Sequence, residues 1–219
     1  MNTIVVALRA TLVTLVLTGL VYPLAVTGLA QIMFSHRANG SIVADDKGRE
    51  VGSELLGQGF TGAAYVRPRP SSTGYDAASS GGTNLGTTSK KLRDGLSDDP
   101  ATKDVDESFT GAKDLAAAFR ADNGLPDGVE VPADAVTRSA SGIDPHVSPD
   151  TAMLQAARIA RARGVATLRV QAVIASYTEG RELGFLGEPR VNVLAVNLAL
   201  DRQFGPPVHV AADGATMRP

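Results

Sequence analysis

The sequence predicts one N-terminal transmembrane helix followed by a mixed α+β domain placed outside the cytoplasm. Three observations carry this expectation. Residues 10–34 are uncharged and mostly apolar, residues 42–51 have the composition of a β-hairpin, and the later chain holds helices with legible caps.

Residues 1–9 form a short tail, expected in the cytoplasm, whose one charged side chain is Arg9. The run Ala10–Phe34 follows. A helix rises about 1.5 Å per residue, so roughly 20 apolar residues cross a ~30 Å hydrocarbon core. A cleaved secretory signal is the alternative, because Gly28 and Ala30 place small residues before Gln31. The run is longer than the ~7–15 apolar residues of a signal, which favours a retained anchor. Basic residues nearly balance across the span, so charge alone leaves its orientation open. A short N-tail before a large domain favours a cytoplasmic N-terminus and a domain outside.

Within the run, Ala10, Thr14, Thr18 and Tyr22 recur every four residues, and Thr27, Gly28 and Gln31 cluster later. Such a stripe of small and polar side chains lets a second helix approach and hydrogen-bond. It is the expected partner-helix face. Pro23 lacks an N–H and clashes with the preceding turn, so a kink is expected there.

The chain has 21 basic and 23 acidic residues, a net charge of −2, and no basic stripe interleaved with aromatics. That excludes the electrostatic footprint of a nucleic-acid binder. With no cysteine there is no disulfide framework. Residues 35–219 suffice for one compact domain, and its core must rest on Ala, Val, Leu and Ile because aromatics are 5% and Trp is absent.

Asn39-Gly40-Ser41 reads as a turn. Ile42-Val43 and Glu50-Val51 then flank Asp45-Asp46-Lys47-Gly48 as a hairpin. Residues 68–90, dense in Pro, Ser, Gly and Thr, read as loop. An insertion is expected over 97–123, opening on the acidic stretch Asp98, Asp99, Asp104, Asp106 and Glu107. Within it, Lys113–Arg120 reads as a short helix ended by Asn123-Gly124. The next helix is better marked: Ser148 as cap, Pro149 in the first turn, an apolar face of Met153, Ala156, Ala157 and Ala160, and Arg158, Arg161 and Arg163 before Gly164. Thr167 is the expected cap of a third helix burying Leu168, Val170, Val173 and Ile174. For Val191–Leu200, Pro189 suits a helix start whereas Val191 and Val193 suit a strand; helix is the expectation.

Few motifs carry chemistry. Gly57-Gln58-Gly59-Phe60-Thr61-Gly62 matches G-x-G-x-x-G, but it leads into a proline-rich loop, where no helix N-terminus can hold a pyrophosphate. Asp46-Lys47-Gly48 only partly matches the Asp-Lys-Thr-Gly phosphorylation sequence of P-type ATPases, so no aspartyl-phosphate is expected. Three histidines without cysteine or H-E-x-x-H give no metal site. Ser141, Asp144 and His146 have the residue types of a hydrolase triad, crowded within six residues and without a G-x-S-x-G elbow. They define the rival reading, a secreted or membrane-anchored domain with its own hydrolase or binding activity. Gln155 and Arg158 share a helix face and suit either a solvated surface or a polar ligand.

Two segments are unusually specified: Ser141-Gly142-Ile143-Asp144-Pro145-His146-Val147-Ser148-Pro149 and Gly184-Phe185-Leu186-Gly187-Glu188-Pro189-Arg190-Val191-Asn192-Val193-Leu194. With Thr18-Gly19, Tyr22-Pro23, Val26-Thr27-Gly28 and Gln31 before them, then Leu56-Gly57-Gln58, Arg69-Pro70-Ser71, Gly82-Thr83-Asn84-Leu85-Gly86 and Asn197-Leu198-Ala199-Leu200, the chain resembles the C subunit of the Kdp potassium-transporting P-type ATPase along most of its length. Thr83 and Thr87 depart from the family's usual serine and proline, and Ser97–Asn123 is longer than in compact members.

The resemblance implies a single-pass, non-catalytic subunit of the cell inner (plasma) membrane. Its partners would be a channel-like, potassium-binding A subunit, an ATP-hydrolysing B subunit and a small F subunit. It also implies a role in stabilising the complex and a catalytic chaperone action that raises ATP affinity. The chain itself would hold no cofactor, and ATP would enter through the complex. The resemblance marks Gly142, Asp144, Pro145 and His146, then Gly187, Glu188, Pro189 and Arg190, as motif loops, and Gln155 with Arg158 as nucleotide-related. A domain outside the cytoplasm cannot touch cytoplasmic ATP, so coupling would be allosteric, of the order of ~1–3 kcal/mol.

Overall fold

The computed structural model describes residues 2–96 and 108–207. Asp98, Asp99, Asp104, Asp106 and Glu107, the acidic stretch of the expected insertion, lie outside the described residues. The chain divides into two compact units between Ser53 and Glu54.

In the first unit a helical segment runs over Thr3–Met33, 31 residues, the one helix among the described residues long and apolar enough to cross a membrane. It comprises α1 (Thr3–Val16), a π-helical turn (Leu17–Val21) and α2 (Tyr22–Met33). At ~1.5 Å per residue its length is about 46 Å, more than the ~30 Å hydrocarbon core. The helix therefore takes in Arg9 and most of the tail, and it stops before Phe34, whose φ of −141° is not helical. The disturbance expected at Pro23 takes the form of the π turn just before it, where the Tyr22 amide donates to Leu17 O five residues back.

After α3 (Ser35–Ala38), Gly40 and Ser41 turn the chain with φ of 88° and 50°. The hairpin forms as expected from β1 (Ile42–Ala44) and β2 (Glu50–Ser53), paired antiparallel with Ile42 opposite Ser53 and a bulge between Val43 and Ala44. Asp45 closes it: its Oδ1 accepts the Lys47 and Arg49 amides, each at 2.9 Å.

The second unit begins as irregular chain. Residues 68–89 contain no helix or strand, as their composition predicts, and α4 (Lys90–Asp94) is capped by Ser89. Helix α5 (Ala112–Asn123) ends on Gly124 in the left-handed region, φ 65°, and α6 (Ala133–Val136) follows. The core lies between α7 (Pro149–Arg163), α8 (Thr167–Ser176), α9 (Val193–Phe204) and a three-stranded antiparallel sheet. The sheet order is β3 (His146–Val147), β5 (Arg190–Asn192), β4 (Thr178–Glu179). Ile159, Val170, Ile174, Val191, Val196 and Leu200 are fully buried there.

Helix α7 carries the caps read from sequence, with Ser148 Oγ accepting the Thr151 amide at 3.1 Å and Gly164 left-handed at φ 66°. Its face is rotated from the expected one: Ala156 and Ala160 are buried, but Ala157 is exposed. Two expectations for α8 are corrected. Thr167 is its first helical residue, with Ala166 at the cap position and no side-chain cap bond. Leu168 is 78% exposed while Val170, Val173 and Ile174 are buried, because one residue in the first turn faces away from the stripe that meets α7. The ambiguous segment is both structures in succession: Val191 is in a strand, and Asn192 Oδ1 then caps α9 by accepting the Ala195 amide at 3.0 Å. A capping side chain at the end of a strand is what permits the immediate switch.

Candidate functional site

Residues 62–67 run along the domain without belonging to a sheet: Gly62 and Ala63 are exposed, Tyr65 and Arg67 are partly buried, and Ala64 and Val66 are buried. Buried backbone polar groups need partners, and here side chains of α7 and α9 supply them. Arg158 Nη1 donates to Gly62 O (3.4 Å) and Ala63 O (2.6 Å), and Nη2 to Tyr65 O (3.1 Å). Arg163 Nε donates to Ala64 O at 2.8 Å. Asn197 brackets Val66 as a neighbouring strand would, accepting its amide at 2.8 Å and donating to its carbonyl at 2.9 Å. Gln155 does the same for Arg67, accepting its amide at 2.8 Å and donating to its carbonyl at 3.2 Å.

Gln155 and Arg158 do share one face of α7, as the sequence implies, but that face is turned inward, leaving them 1% and 6% exposed. Arg158 Nε donates to Asn123 Oδ1 (3.0 Å) and Nη2 also to Gln155 Oε1 (2.6 Å). All five guanidinium N–H donors are thereby engaged with the chain itself. Burial, reinforced by nearby Arg67, lowers the Arg158 pKa to about 10, which leaves it cationic near neutral pH. The adjoining pocket, lined by Arg67, Leu115, Phe119, Asp122, Thr151 and Gln155, has a volume of about 190 Å³. That is below the roughly 300–1,000 Å³ typical of small-molecule sites.

At the other end of the segment, Arg163 is 2% exposed at its side chain and pairs with Asp201 at 2.8 Å, while Tyr65 Oη donates to the second Asp201 oxygen at 3.0 Å. Burial and the Asp201 carboxylate push the Tyr65 hydroxyl up to about 12.

The first motif loop is held by backbone contact. Gly57 donates to Ile143 O at 2.7 Å, and a Cβ at Gly57 would lie 2.5 Å from Asp144 O. Gly142 is left-handed, φ 70°, and its carbonyl accepts Ser71 Oγ at 2.6 Å. Pro145 O accepts the Val193 amide at 2.9 Å. Asp144 pairs with Arg69 at 3.0 Å and accepts the His146 amide at 2.9 Å. The glycine fingerprint is thus a packing device. Nor do the triad residue types assemble: Ser141 Oγ accepts the Ile143 amide (3.2 Å), Asp144 Oδ1 is 3.9 Å from His146 Nδ1, and no Ser141–His146 hydrogen bond occurs among the described residues. Burial lowers the His146 pKa, against the opposing pull of Asp144.

In the second motif loop Gly187 is left-handed, φ 75°, Glu188 pairs with Arg181 at 2.5 Å, and Pro189 leads into β5. Arg190 pairs with Glu179 (3.0 Å) and Glu182 (3.2 Å).

On the apolar N-terminal helix, the Thr14 hydroxyl donates to Ala10 O (2.7 Å) and that of Thr18 to Thr14 O (2.8 Å). Tyr22, Thr27 and Gly28 are exposed. Gln31 exchanges amide hydrogen bonds with Asn39 at 3.2 and 3.3 Å. Among the described residues no group of three or more His, Asp or Glu side chains could hold a metal ion.

Sequence reasoning passed over Asn197, Asn123 and Arg163 as structural polar residues. Asn197 was detectable, since it interrupts the apolar run Val193–Leu200 on a helix that is otherwise inward-facing. For Arg163 the sequence signals only a helix-end cation.

Residues 4–202 match the family model described as K+-transporting ATPase, c chain. A Myxococcus xanthus protein named potassium-transporting ATPase KdpC subunit is 56% identical over 207 residues, covering 94% of this chain and 90% of the relative. Proteins of the same name from Rhodospirillum rubrum and Koribacter versatilis are 50% identical over 190 residues and 47% over 200, covering 86% and 90% of this chain and 89% and 93% of those relatives.

Proposed function

Because this chain belongs to the KdpC family, the c chain of K+-transporting ATPases, we propose that it serves as a non-catalytic accessory subunit of a high-affinity, ATP-driven potassium importer. It stabilises the assembly of the channel-like A, ATP-hydrolysing B and small F subunits. It also acts as a catalytic chaperone that raises the ATP affinity of the hydrolysing subunit. The N-terminus is cytoplasmic, residues 10–34, all but Phe34 within the helical segment Thr3–Met33, cross the membrane, and the chain from residue 35 onward lies outside.

Family membership carries the subunit reading, and the inward engagement of Gln155 and Arg158 with the backbone of residues 62–67 supports an indirect effect on ATP. With those donors committed, an effect on ATP is best carried by the subunit contacts as a coupling free energy, of the order of ~1–3 kcal/mol. The test is to purify the complex with and without this chain. We expect a several-fold rise in apparent KM for ATP and loss of growth at low potassium when the chain is missing. Normal assembly, growth and KM without it would overturn the proposal. A C-terminal reporter active only outside the cytoplasm checks the topology.

A further inference from the structure

Among the described residues of the second unit, Leu55, Leu96, Leu168 and Tyr177 are exposed at scattered positions, whereas Leu183, Phe185 and Leu186 are exposed together within one turn, at 83%, 68% and 48%. That turn joins β4 to β5, and its shape is fixed. Glu182 and Leu186 exchange backbone hydrogen bonds at 2.9 Å in both directions, and the Gly184 and Phe185 amides bond to Arg181 O and Glu182 O. Leu183 is held left-handed at φ 53°, and Gly184 follows at 82°. A leucine in that region is strained, and such strain is kept where the surrounding structure enforces a particular presentation of side chains.

The rim of the turn is charged and internally paired: Arg181 with Glu188, and Arg190 with Glu179 and Glu182. Residues 178–190 hold three glutamates against two arginines, a net charge of −1. Insertion into a lipid headgroup layer relies on an excess of Lys and Arg facing anionic lipid, which this rim lacks. An exposed aromatic anchor flanked by aliphatic side chains, ringed by polar groups and presented on a rigid turn, has the anatomy of a protein–protein hot spot.

We propose that the turn Leu183–Leu186 docks this subunit onto another subunit of the same complex. Its occupant is an apolar protein pocket receiving Phe185, with a rim whose excess of Lys or Arg offsets the net charge of −1 left on residues 178–190 after Arg181 and Arg190 have paired. The proposal rests on the accessory-subunit reading above and adds the surface through which it acts.

The test uses the assembled complex containing the full chain, with a photo-crosslinking amino acid placed at position 185 and, as a control, at position 168. We expect crosslinks to another Kdp subunit from 185 and none from 168. Crosslinks from 185 only to lipid or to a second copy of this chain, or no crosslink at all, would overturn the docking proposal. Phe185→Ser with Leu183→Ser is expected to lower recovery of the other subunits by about tenfold or more after detergent extraction, with the melting temperature of the variant chain unchanged. Unaltered recovery counts against the proposal. Leu168→Ser should leave recovery intact. If the unsubstituted chain itself fails to co-purify, the accessory-subunit reading fails; if it co-purifies and the turn variants do too, only the docking surface fails.

Discussion

Arg158 Nη2 donates to Gln155 Oε1 at 2.6 Å, and that same oxygen accepts the Arg67 amide at 2.8 Å. One glutamine thus links a buried cation to the backbone it serves. Arg158→Ala removes the side-chain partner of the Ala63 and Tyr65 carbonyls, while Gly62 O keeps the Tyr65 amide at 3.3 Å, and should cost about 3 kcal/mol; Gln155→Leu should cost about 2 kcal/mol. Thermal unfolding of the detergent-solubilised chain measures both. Complexes that retain either variant should keep their KM for ATP. A raised KM with an unchanged melting temperature would indicate direct contact with nucleotide instead.

Gly57 and Gly48 separate packing from conformation. A Cβ at Gly57 meets backbone atoms of Asp144 and Ile143 at 2.5–3.0 Å, whereas one at Gly48, φ 75°, meets nothing within 4 Å. Gly57→Ala should therefore destabilise by about 2–3 kcal/mol through overpacking, and Gly48→Ala by about 1 kcal/mol through the left-handed strain alone. Equal melting temperatures for the two variants would contradict this.

His146 sets a pH dependence. Burial lowers its pKa below the ordinary value near 6.5, so between the two values the unfolded chain binds more protons than the folded one. Its contribution to stability is complete above about pH 6.5 and is lost as pH falls through the lowered folded value. Melting temperature should decline on acidification across that window, and less steeply in His146→Gln. An identical slope in the variant would assign the titration elsewhere.

The Thr14 and Thr18 hydroxyl protons are committed to carbonyls of their own helix, so a partner helix gains from these positions chiefly by close packing. Replacing both with Val, which keeps the shape, should preserve co-purification with the other subunits, and replacing both with Leu should weaken it. Loss of co-purification with Val would show that the hydroxyls themselves are required.

Sequence alone determined what depends on neighbours a few residues apart. The apolar run, the hairpin around Asp45–Gly48, the caps of α7 at Ser148 and Gly164, and the motif order that identifies the family are all written locally. Helix ends were blurred where local signals conflict, as at Val191–Asn192, where strand and helix propensities abut and only the Asn192 cap sets the boundary. The second motif loop was singled out in sequence, but its exposed apolar tip was not.

Tertiary structure decided which way the side chains face. Nothing near Gln155, Arg158 or Asn197 in sequence reveals that residues 62–67, some 88 to 131 positions away, run past them with backbone groups that belong to no sheet. The same holds for Leu168, which is apolar and helical yet exposed. Local hydrogen-bond geometry fixes secondary structure within a turn or two, whereas burial depends on contacts between distant segments. A surface-competent Gln–Arg pair therefore becomes part of the interior only once the chain has folded around it.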